Sequence, residues 1–417
     1  MSNYTSSSGK NTIVEDNRSE LDEIVRRGAQ QMLQAALEAE VEEYVEKCKN
    51  NLDNNGERLV TRNGRKEERS ILSGAGKLDV KQPRVNDRRN GSHFTSSILP
   101  PYMRRTPSLD NLIPALYLKG VSTGQFPEAL ESILGADAAG LSANTVTRLK
   151  EQWENEHQEW MIRDLSDRRY VYWWADGIHF NVRLEDERTC MLVLMGTLED
   201  GRKELIGLID GYRESKLSWQ DMFRDLKARG LKDGPELAVG DGALGFWAAL
   251  REEFGNTREQ RCWVHKTSNI LDKMPKGVQP RAKQRIHDMY RAATKKEALK
   301  AYDEFIALYE AKYPKACHCL AEDKEVLFQF YDFPAEHWQH IRTTNPIEST
   351  FATVRHRSRR TKGCGTRTAT LAMTYKLAKE AQQHWRRING YRLIHKVIKG
   401  IRFVDGVETE KEQEKAA

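Results

Sequence analysis

The stretch YVYWWADGIHF, residues 170–180, places an aspartate and a glycine inside a run of strand-forming residues. Aromatic and β-branched residues pack well on a pleated sheet, whereas a buried carboxylate is costly unless another group pairs with it. The pair Asp176-Gly177 is also the strongest short-range signal for a hairpin turn. Because Ile178, Phe180 and Val182 continue the alternation beyond the pair, a continuous strand through Asp176 is the competing interpretation.

The sequence that follows predicts a mixed α/β sheet. Strand patterns TCMLVLMGTL and KELIGLIDGYR flank a convincing turn, EDGR, and shorter strands are expected at PELAVGDG and REQRCWVHKT. Helical patterns lie between the later strands: SWQDMFRDLKARG, starting after Ser218 and ending at Gly230, and ALGFWAALREEFG. A three-stranded meander extended by crossover connections forms a mixed sheet with helices on its faces, in which the end of the first strand lies beside the fourth.

Three acids of this region each have an ordinary structural explanation. Asp176 suits a turn, Asp241 could cap the helix after the fourth strand, and Glu348 completes a capping box that begins at Asn345. In the predicted sheet, however, Asp176 and Asp241 share one edge, and a helix packed across that edge brings Glu348 alongside. Three converging carboxylates raise one another's pKa unless cations neutralise them.

The all-oxygen ligand set predicts Mg²⁺, with Mn²⁺ as a substitute. Two such ions ~3.5–4 Å apart activate a water or a 3′-hydroxyl and stabilise the leaving oxygen in displacement at phosphate. Gly177 and Gly242 remove side chains next to the two aspartates, which lets a backbone or a phosphate come close. On this interpretation Asp176 is tolerated in its strand because a metal ion pairs with it.

The charge of the chain is distributed unevenly. The net charge is +6, yet residues 349–403 contain 14 lysine and arginine residues and a single acid, Glu380, so the rest of the chain is net acidic. Such a block favours a polyanion, foremost nucleic acid, over a solvated helix face. The residues predicted to bind DNA strands beside Glu348 are Arg355, Arg357, Arg359, Arg360 and Lys362.

Several strings of the sequence together resemble a known family. These are LYLKGVST, WADGIHF, VGDGALGFWAAL, CWVHKTSNILDKMPK and FYDFPAEHWQHIRTTNPIESTFATVRHRSRRTKGCGT. From about residue 20 to 400 the chain resembles the Mutator-type DDE transposases of bacterial insertion sequences. The resemblance implies a ribonuclease-H-like core with an all-helical insertion, and Asp176, Asp241 and Glu348 as the metal-binding triad. The implied activity is cleavage at the terminal inverted repeats of a mobile element and joining of the 3′ ends to target DNA.

The expected fold is therefore α/β, preceded by a largely helical DNA-binding region. The segments are a disordered tail (1–18), a helix and small basic strand region for oligomer or DNA contacts (19–95), a helix-turn-helix-like region (96–165), a ribonuclease-H-like catalytic domain with basic C-terminal helices (166–274 and 343–403), a helical insertion (275–342) and a charged tail (404–417). The first helix either pairs with a partner chain or docks on its own core. Because strand transfer acts on two ends, a homodimer or larger assembly on DNA is expected.

Four further residues are expected to shape the site. Cys262 and His265 fit the C-x-x-H motif of the family, which by spacing alone is half a zinc site. The segment Cys317–Cys319 does not supply the other half, so a role without zinc is expected. For Trp338 and His340, core packing is the ordinary interpretation; stacking of Trp338 on a splayed base is the alternative.

The composition limits the remaining possibilities. No apolar run reaches the ~18 residues of a membrane span, no signal-peptide pattern is present, and six cysteines show no disulfide-framework spacing. A cytoplasmic, nucleoid-associated protein without membrane contact is expected. Two other functions stay open: a metal-dependent junction nuclease with the same core, and a DNA-binding repressor whose catalytic core has decayed.

Overall fold

The structure is a computed structural model. It describes residues 16–89, 91, 93–109, 112, 116, 121, 128–129, 143–180, 189–211, 214–360 and 366–409. The chain divides into two compact units, Met1–Thr147 and Arg148–Ala417, and each unit has its own fold.

The N-terminal unit combines one long helix with short antiparallel strand pairs. Its elements are α1 (Asp16–Lys47), β1 (Val60–Arg65), β2 (Arg69–Ser73), β3 (Gly76–Val80) and β4 (Pro83–Asp87). Strand β1 pairs with β4, and β2 pairs with β3. Helix α1 docks on this unit through its second half, where Leu37 packs with Ile71 and Val80. Ile24, in its first half, and Met32, at its middle, stay exposed, Met32 to 71%.

The second unit contains a five-stranded sheet. Its strands are β5 (Tyr170–Phe180), β6 (Thr189–Leu198), β7 (Lys203–Gly211), β8 (Leu237–Gly240) and β9 (Arg258–Arg261). The order across the sheet is β7-β6-β5-β8-β9. Strands β5, β6 and β7 are antiparallel to their neighbours, whereas β8 runs parallel to β5 and β9 parallel to β8. The predicted mixed sheet is confirmed, including the first strand beside the fourth.

Helices account for most of the rest of the second unit. They are α2 (Ala143–Met161), α3 (Lys216–Ala228), α4 (Leu244–Glu253), α5 (Trp263–Leu271), α6 (Gln279–Arg291), α7 (Lys295–Tyr309), α8 (Pro314–Ala321), α9 (Lys324–Leu327), α10 (Trp338–Ile341), α11 (Asn345–Arg360), α12 (Arg367–Gln382) and α13 (Ile394–Ile398). All residues from 262 to 344 are described, and every regular element among them is helical. A short hairpin, β10 (Phe403–Val404) with β11 (Val407–Glu408), opens the segment expected to be a charged tail.

Strand β5 is buried on both faces, which explains its aromatic run. Trp173 lies in the core formed with α3 and α4, 5.7 Å from Phe223 between ring centroids. Successive strand residues point to opposite faces, so its neighbours face the helical segment before α11. There the hydroxyl of Tyr172 donates to Nδ1 of His337 at 2.7 Å, and the indole of Trp174 donates to the His340 carbonyl at 2.9 Å.

Two predicted element boundaries were wrong. Strand β9 ends at Arg261 rather than continuing through REQRCWVHKT, because its partner β8 stops at Gly240 and the chain turns into α5. The Trp263 indole then donates to the Leu327 carbonyl at 2.8 Å. Helix α3 begins at Lys216, before Ser218, because Ser215 is the N-cap and its hydroxyl accepts from the Ser218 amide.

The expected helix-turn-helix lies largely outside the described residues, since most of 110–142 is not among them. Helix α2, its second helix, is described. From Arg148 onward it packs on the second unit: Trp153 and Trp160 are buried, and His157 Nε2 lies 3.2 Å from the Leu208 carbonyl. At the exposed described positions there, the acids Glu151 and Glu159 outnumber the one cation, Arg148, so this half of α2 carries no excess of basic side chains.

Among the described residues, none of the helices combines the length and the apolar character that crossing a bilayer requires.

Candidate metal centre

Asp176 lies in the middle of β5, opposite Val193 of β6. The structure therefore confirms the continuous strand and excludes the hairpin turn at this position. Trp174 is the last β5 residue that pairs with β8, where its partner is Val239. Asp176 and Asp241 each follow this pair by two residues. Because strand side chains alternate with period two, this places both carboxylates on one face at the same level, and Asp176 is only 6% exposed.

Glu214, which the sequence did not predict, is the third acid of this group. One ligand oxygen from each of Asp176, Glu214 and Asp241 lies within 4.8 Å of the other two. Glu214 sits after β7 and directly before Ser215, the N-cap of α3. Burial and the nearby charges of Asp241 and Asp176 raise the pKa of Glu214 to about 7. These carboxylates are therefore the acidic centre of the second unit.

Protein side chains fill the space beside the glycines that follow the two aspartates, and the close approach of a backbone or a phosphate there stays a prediction. A Cβ at Gly177 would lie 2.6 Å from Cγ of Glu214 and closer still to its carboxylate. A Cβ at Gly242 would lie 2.8 Å from Cζ of Arg261. Arg261 in turn forms an ion pair with Asp323 at 3.1 Å.

Asp241 is not the N-cap of the helix that follows it. The N-cap of α4 is Ala243, which makes no side-chain cap hydrogen bond. Asp241 Oδ1 instead accepts from the amide of Ala243 at 2.9 Å, and its carbonyl accepts from the Trp247 indole at 2.9 Å. These bonds hold the backbone of Asp241 against α4 and leave its second carboxylate oxygen, Oδ2, for the acidic centre.

Glu348 belongs to a neighbouring group with Cys262 and His265, whose ligand atoms also lie within 4.8 Å of one another. Glu348 Oε1 lies 3.5 Å from Nε2 of His265. The hydroxyl of Thr344 lies 3.3 Å from Cys262 Sγ, from His265 Nδ1 and from Glu348 Oε1. The predicted capping box differs from the structure: Asn345 lies inside α11, and the Thr344 carbonyl accepts from the Glu348 amide.

The two groups are adjacent and interact through charge. The Cys262 amide donates to the carbonyl of Gly240, the residue before Asp241, at 2.8 Å. A hydrogen bond with Cys262 and the charges of Asp176 and Glu348 raise the pKa of His265 to about 9. The structure thus brings Asp176 and Asp241 together. Glu348 lies in the neighbouring group, where it contacts His265, and the charge of His265 interacts with both Asp176 and Glu348.

The two groups differ in the metal that their donors suit. Three carboxylates match the preference of hard divalent cations such as Mg²⁺ and Mn²⁺ for oxygen ligands. Cys262, His265 and Glu348 offer sulfur, nitrogen and oxygen, a set that also suits zinc. Our expectation that Cys262 and His265 shape the site without zinc stays a prediction.

The other predicted site residues lie farther along the chain. The Trp338 indole donates to the Phe333 carbonyl at 2.8 Å, and its ring meets Tyr331 with 4.8 Å between centroids. Nε2 of His340 accepts from the Asn389 amide at 3.0 Å. Base stacking by Trp338 stays a prediction. Four of the arginines lie on α11, but their side chains, and all of Lys362, are outside the described residues: Arg355, Arg357, Arg359 and Arg360.

A centre of clustered carboxylates at the end of two parallel strands is typical of proteins that hold hard divalent cations. Comparison with known proteins gives the family. Residues 4–388 match the model of the family described as Transposase, Mutator family. The chain is 51% identical over 298 residues to the transposase for insertion sequence element IS6120 of Mycolicibacterium smegmatis, covering 72% of this chain and 92% of that protein.

Two further relatives are also transposases of insertion sequences. The chain is 47% identical over 287 residues to the transposase for IST2 of Acidithiobacillus ferrooxidans, covering 67% and 95% of the two chains. It is 31% identical over 297 residues to the transposase for IS256 in transposon Tn4001 of Staphylococcus aureus, covering 70% and 74%. The chain therefore belongs to the Mutator family of transposases, as its sequence predicted, and DNA is its partner.

Proposed function

We propose that this transposase binds the terminal inverted repeats of its insertion sequence, cleaves the DNA at both ends and joins the 3′-hydroxyl ends to target DNA. The observation that carries the proposal is the placement of Asp176 and Asp241, each two residues beyond the Trp174–Val239 pair. In a chain of this family, carboxylates in that position are suited to phosphoryl transfer. The five-stranded mixed sheet and the helical segment before α11 support a ribonuclease-H-like core.

Each acid has a role in this proposal. Asp176 and Asp241 hold one side of the metal centre, and Glu348 completes it from α11. When bound, Mg²⁺ or Mn²⁺ supplies activation of the attacking oxygen and stabilisation of the leaving oxygen. His265, at 3.5 Å from Glu348, orients that carboxylate. Cys262 accepts a hydrogen bond from the Thr344 amide at 3.3 Å and so ties the start of α11 to the end of β9.

The DNA is held by the basic block. The arginines from Arg355 to Arg360, with Lys362, follow Glu348 in the chain and contact the phosphates of the strand at the site. Because strand transfer acts on two ends, the active species is a homodimer or a larger assembly on DNA.

The test uses a labelled duplex that carries the element's own terminal repeat. We expect the wild type to cleave it at the 3′ end and to join it to a second duplex only when Mg²⁺ or Mn²⁺ is present. Asp176→Asn removes a charged ligand without changing side-chain size, and we expect it to bind the duplex normally but not to cleave it. Asp221→Asn, an exposed position on α3, is the matched control and should cleave like the wild type.

Three other results would change the proposal. Cleavage that persists in Asp176→Asn would overturn the assignment of Asp176. Cleavage without joining would favour the junction nuclease. Specific binding with no cleavage by the wild type would favour the decayed repressor.

A further inference from the structure

Glu214 occupies a space that two glycines leave open, one next to Asp176 and one in the first turn of α4. A Cβ at Gly177, next to Asp176, would lie 2.6 Å from Glu214 Cγ. A Cβ at Gly245, in the first turn of α4, would lie 2.5 Å from the Glu214 carbonyl oxygen. Such distances are shorter than any normal contact, so a side chain at either position would displace Glu214. Gly177 thus leaves room for the side chain of Glu214, and Gly245 leaves room for its backbone carbonyl.

The helix that follows also restrains Glu214. Ser215 caps α3, and Trp219 and Phe223 of that helix are fully buried in the core beneath the sheet. Because α3 cannot shift without disturbing this core, the residue directly before its cap is held at the acidic centre by packing.

Keeping three carboxylates together is unfavourable without a cation. The ligand oxygens of Asp176, Glu214 and Asp241 lie within 4.8 Å of one another, where like charges repel. Among the described residues, no ion pair with lysine or arginine involves Glu214 or Asp241. A hard divalent cation would offset the repulsion and satisfy the oxygens. Gly177 and Gly245 leave the room that Glu214 needs to lie close to the two aspartates.

We propose that Glu214 is a third carboxylate ligand of the divalent cation held by Asp176 and Asp241, an inference that rests on the proposed function. The metal centre then contains four acids. Glu348, grouped with Cys262 and His265, serves the second metal position, and Glu214 serves the first.

The experiment measures Mn²⁺ binding by the full-length protein without DNA, with free Mn²⁺ followed by electron paramagnetic resonance. Glu214→Gln keeps the size of the side chain and removes its charge. We expect it to lower the affinity for Mn²⁺ at least about tenfold, as loss of groups around a metal site commonly does. Asp176→Asn should lower the affinity as well, and Asp221→Asn should leave it unchanged. Gly177→Ala keeps the glutamate but displaces it, and should weaken binding like Glu214→Gln.

Thermal unfolding separates a ligand role from a structural one. Without metal, Glu214→Gln should unfold at the wild-type temperature or above it, because one repelling charge is gone. Added Mn²⁺ should raise the unfolding temperature of the wild type more than that of the variant, because a ligand stabilises the state that binds it.

The outcomes distinguish this inference from the proposed function. Wild-type Mn²⁺ affinity in Glu214→Gln, with weakened binding in Asp176→Asn, would overturn the role of Glu214 and leave the proposed function standing. Unchanged affinity in both variants would overturn the metal centre itself. A Glu214→Gln protein that unfolds at a clearly lower temperature without metal would assign Glu214 a structural role and overturn its role as a ligand.

Discussion

At the scale of single residues, the sequence pointed to Asp176, Asp241 and Glu348 and missed Glu214. Asp176 and Asp241 stand out because each interrupts or ends an apolar strand and is followed by a glycine. Glu214 precedes a helix N-cap, where an acid is common and favourable. The signal that could have revealed it is Gly245, a glycine inside a helix, where glycine is costly unless close packing requires it.

Thr344 tests whether the group around Glu348 positions that carboxylate. Its hydroxyl lies 3.3 Å from Cys262 Sγ, from His265 Nδ1 and from Glu348 Oε1. We expect Thr344→Val to slow cleavage of the terminal-repeat duplex by about tenfold to a hundredfold, because a small misplacement of a catalytic group has costs of that order. The rate is measured with saturating metal and DNA, so that binding does not limit it.

Thr350→Val is the control for this prediction. Thr350 lies on α11, the helix that Thr344 directly precedes, and is also buried, but its hydroxyl donates to the Pro346 carbonyl at 3.0 Å and not to the acid. Both exchanges remove one buried hydroxyl, so urea unfolding should show similar losses of stability, about 1–3 kcal/mol. Equal cleavage rates in the two variants would contradict a positioning role for Thr344.

At the scale of elements, the order of strands was predictable and the transitions between elements were not. Long runs of aromatic, β-branched and other apolar residues identify β5 and β7, which are eleven and nine residues long and are bounded by turn signals. The segment REQRCWVHKT is also predicted to be a strand, yet only its first four residues form β9. What ends the strand is the length of its neighbour β8 and the contacts of Trp263 with a distant segment. Neither is visible in local sequence.

The contact between β5 and the helical segment predicts a pH dependence of stability. His337 is fully buried, accepts from the Tyr172 hydroxyl at Nδ1 and donates from Nε2 to the Gly390 carbonyl at 3.0 Å. The bond accepted at Nδ1 requires the neutral ring, and burial lowers the pKa of His337 below its ordinary value. As pH falls below about 6.5, the unfolded chain takes up a proton that the folded chain does not. The free energy of unfolding should therefore decrease with falling pH.

Urea unfolding from pH 8 to pH 5 measures this effect. One proton corresponds to a slope of at most about 1.4 kcal/mol per pH unit. His337→Gln should reduce the slope by part of that amount, whatever its effect on stability at pH 8. His384→Gln, at an exposed position, should keep the wild-type slope. A slope that His337→Gln leaves unchanged would contradict the prediction; the buried His157, whose pKa burial also lowers, would then be the next candidate.

At the scale of the whole molecule, the sequence shows which segment holds the excess of basic residues, but not which surface of the folded protein presents them. The excess of basic residues in 349–403 is a property of composition and can be counted without a structure. Helix α2 shows the opposite case. Its sequence suited a recognition helix, but Trp153 and Trp160 bury one side of it in the second unit. Whether an amphipathic helix faces its own core or a partner depends on long-range packing, which local periodicity does not contain.

The charge distribution predicts that DNA binding weakens steeply with salt. Each phosphate that a cationic side chain neutralises releases counterions, and the logarithm of the affinity then falls with the logarithm of salt concentration by about 0.9 per contact. Arg359→Gln with Arg360→Gln should lower the affinity for duplex DNA at low salt and reduce the slope by about one to two. The control is Arg281→Gln with Lys283→Gln, two exposed cations on α6 outside the basic block. If net charge alone governed binding, both double variants would lower the slope equally. If DNA binds through the basic block, only Arg359→Gln with Arg360→Gln should lower the slope. A wild-type affinity that does not change with salt would contradict both explanations, binding through the block and binding through net charge.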